Sequence, residues 1–201
     1  MNTFTAMSPS SLQSVLSGCV VALLIICVVI RAAVLRRRGI RAMVFGRTDK
    51  SDFLLVVLVL AIVYGAAART LGLPMWDPLR IPFWASALPG WVGLAVCVFA
   101  LVFFILTLAS FGESFRVGID DEKPAGLKTN GTFAISRNPL YLCFLLVLTG
   151  LFLIHRNIVF TAALVVLALA INRQVLREEK FLEAQYGGEY MAYKKKVRRY
   201  I

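Results

Sequence analysis

The chain reads as an all-α integral membrane helical bundle of about five transmembrane helices, with a C-terminal helical hairpin and a cytoplasmic amphipathic tail. Three observations predict it. Hydrophobic residues fill 59% of the 201 positions and charged ones only 16%, well under the roughly 25% of soluble domains, and mean hydropathy is +0.78. Long uncharged apolar runs recur along the chain, the longest at the length a membrane helix requires. The cations then alternate with those runs, gathering on one side of the bundle. The net charge of +11 would suit a nucleic-acid binder, but such a protein does not carry these runs, and nucleic acid is excluded as a partner.

The first apolar segment covers residues 11–30. It lacks a basic start and a small-residue cleavage site, and Arg36-Arg37-Arg38 follow it, so it reads as a retained anchor rather than a cleaved signal. The second covers 53–68 and the third 91–111. Between them "LGLPMWDPLRIPFWASALPGW" carries four prolines and three tryptophans, and Trp76, Trp84 and Trp91 suit an interfacial aromatic belt. The fourth and fifth, 140–154 and 158–171, are separated only by His155-Arg156-Asn157 and read as a tight helical hairpin. Both are short for a span, and polar turns would extend them.

Charge placement orients this bundle. Seven Lys/Arg lie in residues 31–50, four in 113–137 and eight from Arg173 onward, so 19 of the 22 fall on one side of a five-span chain. That side is the cytoplasm by the positive-inside tendency, which puts the N-terminus outside and the C-terminus inside, in what reads as a bacterial inner membrane. The chain forms one membrane domain over 1–201, with a three-helix anchor region at 1–111 and a cofactor-binding catalytic region at 112–201.

Metal chemistry is not expected. Cys19, Cys27, Cys97 and Cys143 all sit in apolar runs at no ligand-like spacing, and His155 is the sole histidine.

Polar chemistry gathers on the side assigned to the cytoplasm. "FGESFRVGIDDEKPAGLKTNGTFAISRNP" mixes four cations with four anions around glycines and prolines, the composition of a binding loop. The tail "NRQVLREEKFLEAQYGGEYMAYKKKVRRYI" continues the fifth helix, with Leu176, Phe181 and Leu182 as its apolar stripe. Gly187-Gly188 ends that helix, and Tyr190 and Tyr193 share a face of the next. The run Lys194–Arg199 holds five cations in six residues, which attract anionic lipid headgroups at about 1 kcal/mol each.

Two groups of side chains sit at the inner ends of membrane helices, where the fold could bring them face to face. One holds the backbone donors around Gly131, then Arg137, Asn138 and Tyr141. The other holds Arg173, Arg177, Glu178 and Glu179. Carboxylates and an aromatic ring suit a cationic or hydroxyl-rich ligand, and an arginine suits a carboxylate or phosphate. Read singly, Arg137 snorkels to headgroups, Pro139 opens a helix at its first turn, and the glutamates form a solvated face paired by helix spacing.

"GLKTNGTFAISRNPLY", followed some forty residues later by "REEKFLEAQYGGEYMAYKKKV", resembles the isoprenylcysteine carboxyl methyltransferase family and the related phospholipid N-methyltransferases. The shared pattern is Leu127, Gly131-Thr132-Phe133, Arg137-Asn138-Pro139-Leu140-Tyr141, a helical hairpin, Glu178-Glu179, Tyr186-Gly187, Tyr190 and Tyr193. It covers about residues 112–197. The resemblance implies S-adenosyl-L-methionine as cofactor, contacted by Leu127, Gly131, Thr132, Phe133, Arg137, Asn138, Pro139 and Tyr141, with Glu178 and Glu179 as an acidic pair beside it. It implies an acceptor arginine shortly before that pair, with Arg173 the candidate and Arg177 the substitute if the register shifts. A lipophilic small molecule or lipidated substrate, prenylcysteine carboxylate-like or amino-lipid, would enter sideways from the membrane. Displacement at a sulfonium methyl needs alignment above all. A carboxylate acceptor needs no base, whereas an amine or thiol needs one, and Glu178 or Glu179 would serve. Many members carry histidine where this chain has Asn138, which bonds hydrogen but cannot titrate.

Two other readings stand beside this one. An NADPH-dependent membrane sterol or lipid reductase has a similar hairpin, and the basic tail would hold its 2′-phosphate. A non-enzymatic lipid-binding module would need neither the acidic pair nor the Arg-Asn-Pro-x-Tyr mouth.

Overall fold

The computed structural model describes residues 9–37, 63–65, 67–68, 73–74, 81–112 and 126–201. Among them are four long helices and no strand: α1 (Pro9–Arg37), α2 (Leu88–Phe111), α3 (Pro139–His155) and α4 (Ile158–Lys196), with one 3-10 turn, Gly131–Ala134, ahead of α3. α1, α2 and α4 are long and apolar enough to cross a membrane, and α3 is a shorter apolar helix of 17 residues. The protein is thus an all-α membrane bundle. The expected second span lies largely outside the described residues, although 63–65 and 67–68 are helical.

The centre of the bundle is the α2–α3 pair, the most extensive helix–helix interface; α1 packs on α2, and α4 on α3. Buried positions on α2 fall at 90, 93, 97, 100, 104 and 107, steps of three and four that form one stripe of a helix. Two glycines let the backbones close. A Cβ on Gly93 would stand 2.5 Å from the Gly150 carbonyl oxygen, and one on Gly150 would stand 2.6 Å from the Gly93 oxygen and run into Cys97 Sγ. In lipid, where apolar burial hardly favours helix on helix, such close approach supplies the dispersion contact that holds a pair together. Above and below the crossing, Cys97, Ala100, Phe104, Cys143 and Leu151 are almost wholly enclosed. Hydroxyls within the helices are satisfied locally: Thr107 donates to the Phe103 carbonyl at 2.8 Å and Thr149 to that of Leu145 at 2.8 Å.

The hairpin expected at residues 155–157 is present, and its chemistry is local. Arg156 takes a left-handed conformation (φ 40°) and its N–H donates to the Phe152 carbonyl at 2.6 Å, closing α3. Asn157 Oδ1 accepts the N–H groups of Val159 and Phe160 at 3.1 and 3.0 Å, opening α4. Arg156, 5% exposed, turns inward and donates to the Ser86 carbonyl at 2.9 Å. Nearby, Gln13 on α1 donates to the Ala87 carbonyl at 2.9 Å, tying α1 to the start of α2.

α4 runs past its apolar stretch, which ends at Ile171, and continues through both glutamates. At Gly187 (φ 49°, ψ −118°) the helix breaks and then resumes to Lys196. The break falls at the expected glycine pair, because a residue without Cβ enters that region cheaply. Beyond it Tyr190 and Tyr193 share a face, both buried, with rings 6.1 Å apart edge to face.

Candidate active site

The site forms at the end of the bundle opposite the 155–157 turn. Its first wall is the stretch from Asn130 to Pro139. Gly131 has φ 62°, and a Cβ there would collide with Ser110 at the end of α2. The Thr132 N–H donates to Ser110 Oγ at 3.1 Å, and the Phe133 ring meets Phe111 edge to face at 4.8 Å. The glycine therefore lets the loop dock against α2 before the 3-10 turn swings it toward α3. The Tyr193 hydroxyl donates to the Phe133 carbonyl at 2.6 Å, adding the resumed part of α4 as a second wall.

The turn delivers Arg137 and Asn138 to the mouth of α3. Asn138 occupies the cap position, Pro139 the first helical position, where its missing N–H costs nothing. The Asn138 side chain is thus free of capping. Its Nδ2 donates to the Arg199 carbonyl at 3.2 Å and more weakly to Glu179 Oε1 at 3.4 Å.

Glu179, 3% exposed, is the hub. Arg137 Nη2 donates to its Oε1 at 3.0 Å, and Arg199 places Nε on Oε1 at 3.1 Å and Nη2 on Oε2 at 2.9 Å. Burial opposes the charge on this carboxylate. The Arg199 hydrogen bond and the charges of Arg137, Arg199 and Lys194 outweigh burial and hold its carboxyl below the usual range. Arg137 also donates through Nη1 to the Lys194 carbonyl at 3.2 Å and through its backbone N–H to the Arg198 carbonyl at 3.0 Å.

Glu178 has a different setting one residue earlier. It accepts from the Tyr141 hydroxyl at 2.5 Å and from Gln174 Nε2 at 3.0 Å. Burial pushes its carboxyl up, and these two neutral donors only partly reverse that. Adjacent positions on a helix point about 100° apart. The acidic pair is thereby split into one carboxylate locked by two cations and one held by a phenol and an amide.

Among the described residues, four buried polar atoms in this region have no protein partner: Thr132 Oγ1, Arg137 Nε and the Tyr190 and Tyr200 hydroxyls. Tyr190 is 1% exposed, and burial with the Glu179 charge pushes its phenol up to about 12.

The structure therefore brings Gly131, Thr132, Phe133, Arg137, Asn138, Pro139, Tyr141, Glu178 and Glu179 to one end of the bundle. Leu127 is half-buried in the loop leading to the turn. Arg173 stays on the exposed surface of α4, outside the Glu178 and Glu179 networks; Arg177, one turn later, is half-buried. Sequence reasoning missed Ser110, Ser136, Gln174 and Arg199. Gln174 was within reach, four residues before Glu178 on the same helix face. Arg199 was read as one of five cations for lipid headgroups, but its guanidinium lies on Glu179, and Lys194 pairs with Glu183. Lys195, Lys196 and Arg198 remain exposed.

The family model described as phospholipid methyltransferase matches residues 88–189, half of the chain and the stretch from α2 through both glutamates. A Haemophilus influenzae protein carrying the name "Uncharacterized protein" is 40% identical over 63 residues, which is 31% of this chain and the whole of that relative.

Proposed function

Because the chain belongs to the phospholipid methyltransferase family, we propose that it transfers a methyl group from S-adenosyl-L-methionine to a lipid acceptor, with an amino-lipid preferred. Membership makes it a membrane protein of a methyltransferase family; the cofactor and the acceptor are our reading. S-adenosyl-L-methionine supplies a methyl group made electrophilic by its sulfonium.

The observation that carries this reading is the Tyr141–Glu178 pair beside the Arg137–Asn138 mouth. An ammonium acceptor must lose a proton before nitrogen attacks, and Glu178, a carboxylate with raised proton affinity and neutral partners, is suited to take it. Glu179 is saturated by Arg137 and Arg199, so we assign it the holding of the mouth rather than proton transfer. The donor set also suits the cofactor. Thr132 Oγ1 and the Tyr190 hydroxyl, buried without protein partners, are polar groups for a hydroxyl- and amine-bearing ligand to satisfy. Leu127, Gly131, Phe133, Asn138, Pro139 and Tyr141 would frame it. Arg173, on the α4 surface, would meet the acceptor's anionic part, with Arg177 next to it. We take 112–201 as the catalytic region and 1–111 as the anchor region, with Ser110 of the anchor buttressing the loop.

Calorimetric titration of the purified protein with S-adenosylhomocysteine and, separately, with NADPH tests the proposal. Binding of the first and not the second is expected; the reverse pattern would replace the methyltransferase reading with a reductase.

A further inference from the structure

Residues 197–201 leave α4 through Val197, whose backbone is extended (φ −120°, ψ 133°), and bend again at Arg199. They lie beyond the family match, which ends at residue 189. Even so, three consecutive residues of the mouth are tied to them. Ser136 Oγ donates to the Arg199 carbonyl at 3.2 Å, the Arg137 N–H to the Arg198 carbonyl at 3.0 Å, and Asn138 Nδ2 to the Arg199 carbonyl at 3.2 Å. The Arg199 side chain then crosses to Glu179, using two nitrogens of its planar fork on the two carboxylate oxygens.

We propose that Arg199 is a positioning residue of the active site, fixing Glu179 from its water-facing side and thereby setting the placement of Arg137 and Asn138. What is being positioned rests on the methyltransferase reading; the positioning itself does not.

The charge arrangement separates this role from plain stabilisation. Glu179 and Arg137 form an ion pair with side chains only 4% and 7% exposed, whereas the Arg199 side chain is 36% exposed. Removing Arg199 leaves the buried pair balanced, one cation to one anion, so the core of the site keeps its partner. What is lost is the bidentate clamp, which fixes orientation as well as charge. Glu179 otherwise faces Arg137 and Asn138 from the mouth of α3, and Lys194 and Tyr190 from the resumed part of α4. Arg199 supplies the largest influence keeping it ionised.

The test uses the full chain in lipid nanodiscs, as wild type, Arg199→Ala and Arg199→Lys. S-adenosylhomocysteine affinity is measured from neutral pH down through and below the ordinary carboxylate range, and amide hydrogen exchange is followed at residues 136–138. Arg199→Ala is expected to weaken binding about tenfold or more, the scale of a lost hydrogen bond to a charged group. Its affinity should also fall away at a higher pH than that of wild type, because Glu179 protonates earlier, and exchange at the mouth should quicken without ligand. Arg199→Lys, which returns the charge but not the fork, should restore the pH limb more than the affinity. Unchanged exchange and an unchanged acid limb in Arg199→Ala would overturn the proposal, even if thermal stability dropped. If wild type binds no S-adenosylhomocysteine, the methyltransferase reading falls, and the exchange comparison alone decides the role of Arg199. Arg199→Lys supplies the same comparisons should Arg199→Ala fail to fold.

Discussion

The Tyr141 hydroxyl donates to Glu178 Oε1 across 2.5 Å, joining the first turn of α3 to a carboxylate 37 residues later on α4. A base must be unprotonated to work, so turnover should fall as pH drops through the Glu178 value. Burial has moved that value above the ordinary carboxylate range, and Tyr141 restrains the rise. Tyr141→Phe should therefore shift the acid limb of turnover to higher pH. A pH profile of methyl transfer to an amino-lipid reads this directly, and a limb that stays put would detach Glu178 from proton transfer.

Glu179→Gln should be the most destabilising single change at the site. It leaves Arg137, 7% exposed in its side chain, without an anion, a loss of about 3–5 kcal/mol for a broken buried pair. Glu178→Gln, with neutral partners on either side, should cost less. The sign with pH follows from the lowered Glu179 carboxyl. Its stabilisation is complete above the ordinary carboxylate range and is lost as pH falls through the lowered folded value. Denaturation of wild type and Glu179→Gln across acid pH should show the gap between them narrowing; a constant gap would mean that the ion pair is not its source.

The same substitution should have opposite effects at two glycines. Gly150→Ala puts a methyl against Cys97 Sγ and 2.6 Å from the Gly93 carbonyl oxygen, an overpacking cost of about 1–3 kcal/mol. Adding Cys97→Ala should recover only part of it, since the backbone oxygen remains. At Gly188, where an added Cβ meets nothing within 4 Å, alanine should be neutral or raise stability by up to about 1 kcal/mol. Thermal unfolding of the three variants measures both signs.

Topology is tested independently of chemistry. Reporter fusions within residues 36–50 and after Ile201 should both report the cytoplasm if the cation asymmetry orients the bundle. A periplasmic signal from either would place the site on the other side of the membrane.

What could be read from the residues was whatever local rules determine. The hairpin turn at 155–157, the Pro139 start and the Gly187 break each depend on a few neighbouring positions, and each stands where the pattern placed it. The inward face of α2 was not legible, because a helix apolar all round carries no amphipathic signal; the Gly93–Gly150 approach decides it. The expected span at 53–68 lies largely outside the described residues. Motif resemblance identified the glutamates together but could not divide their surroundings. Arg199 stayed hidden in a run of five cations, since only the returning path of the chain distinguishes it from Arg198.

The break at Gly187 also makes the site a measure of chain length. Twenty residues of unbroken helix would carry Arg199 about 30 Å beyond Glu179, an outstretched arm with no part in the chemistry. The bend instead returns it to the carboxylate, with Lys194 paired to Glu183 along the way. The return must also arrive in phase. One residue inserted after Gly188 would rotate the following turn by about 100°, taking Tyr193 off the Phe133 carbonyl and Arg199 off Glu179 together. The spacing between the bend and the arginine is therefore under the same constraint as the identity of either.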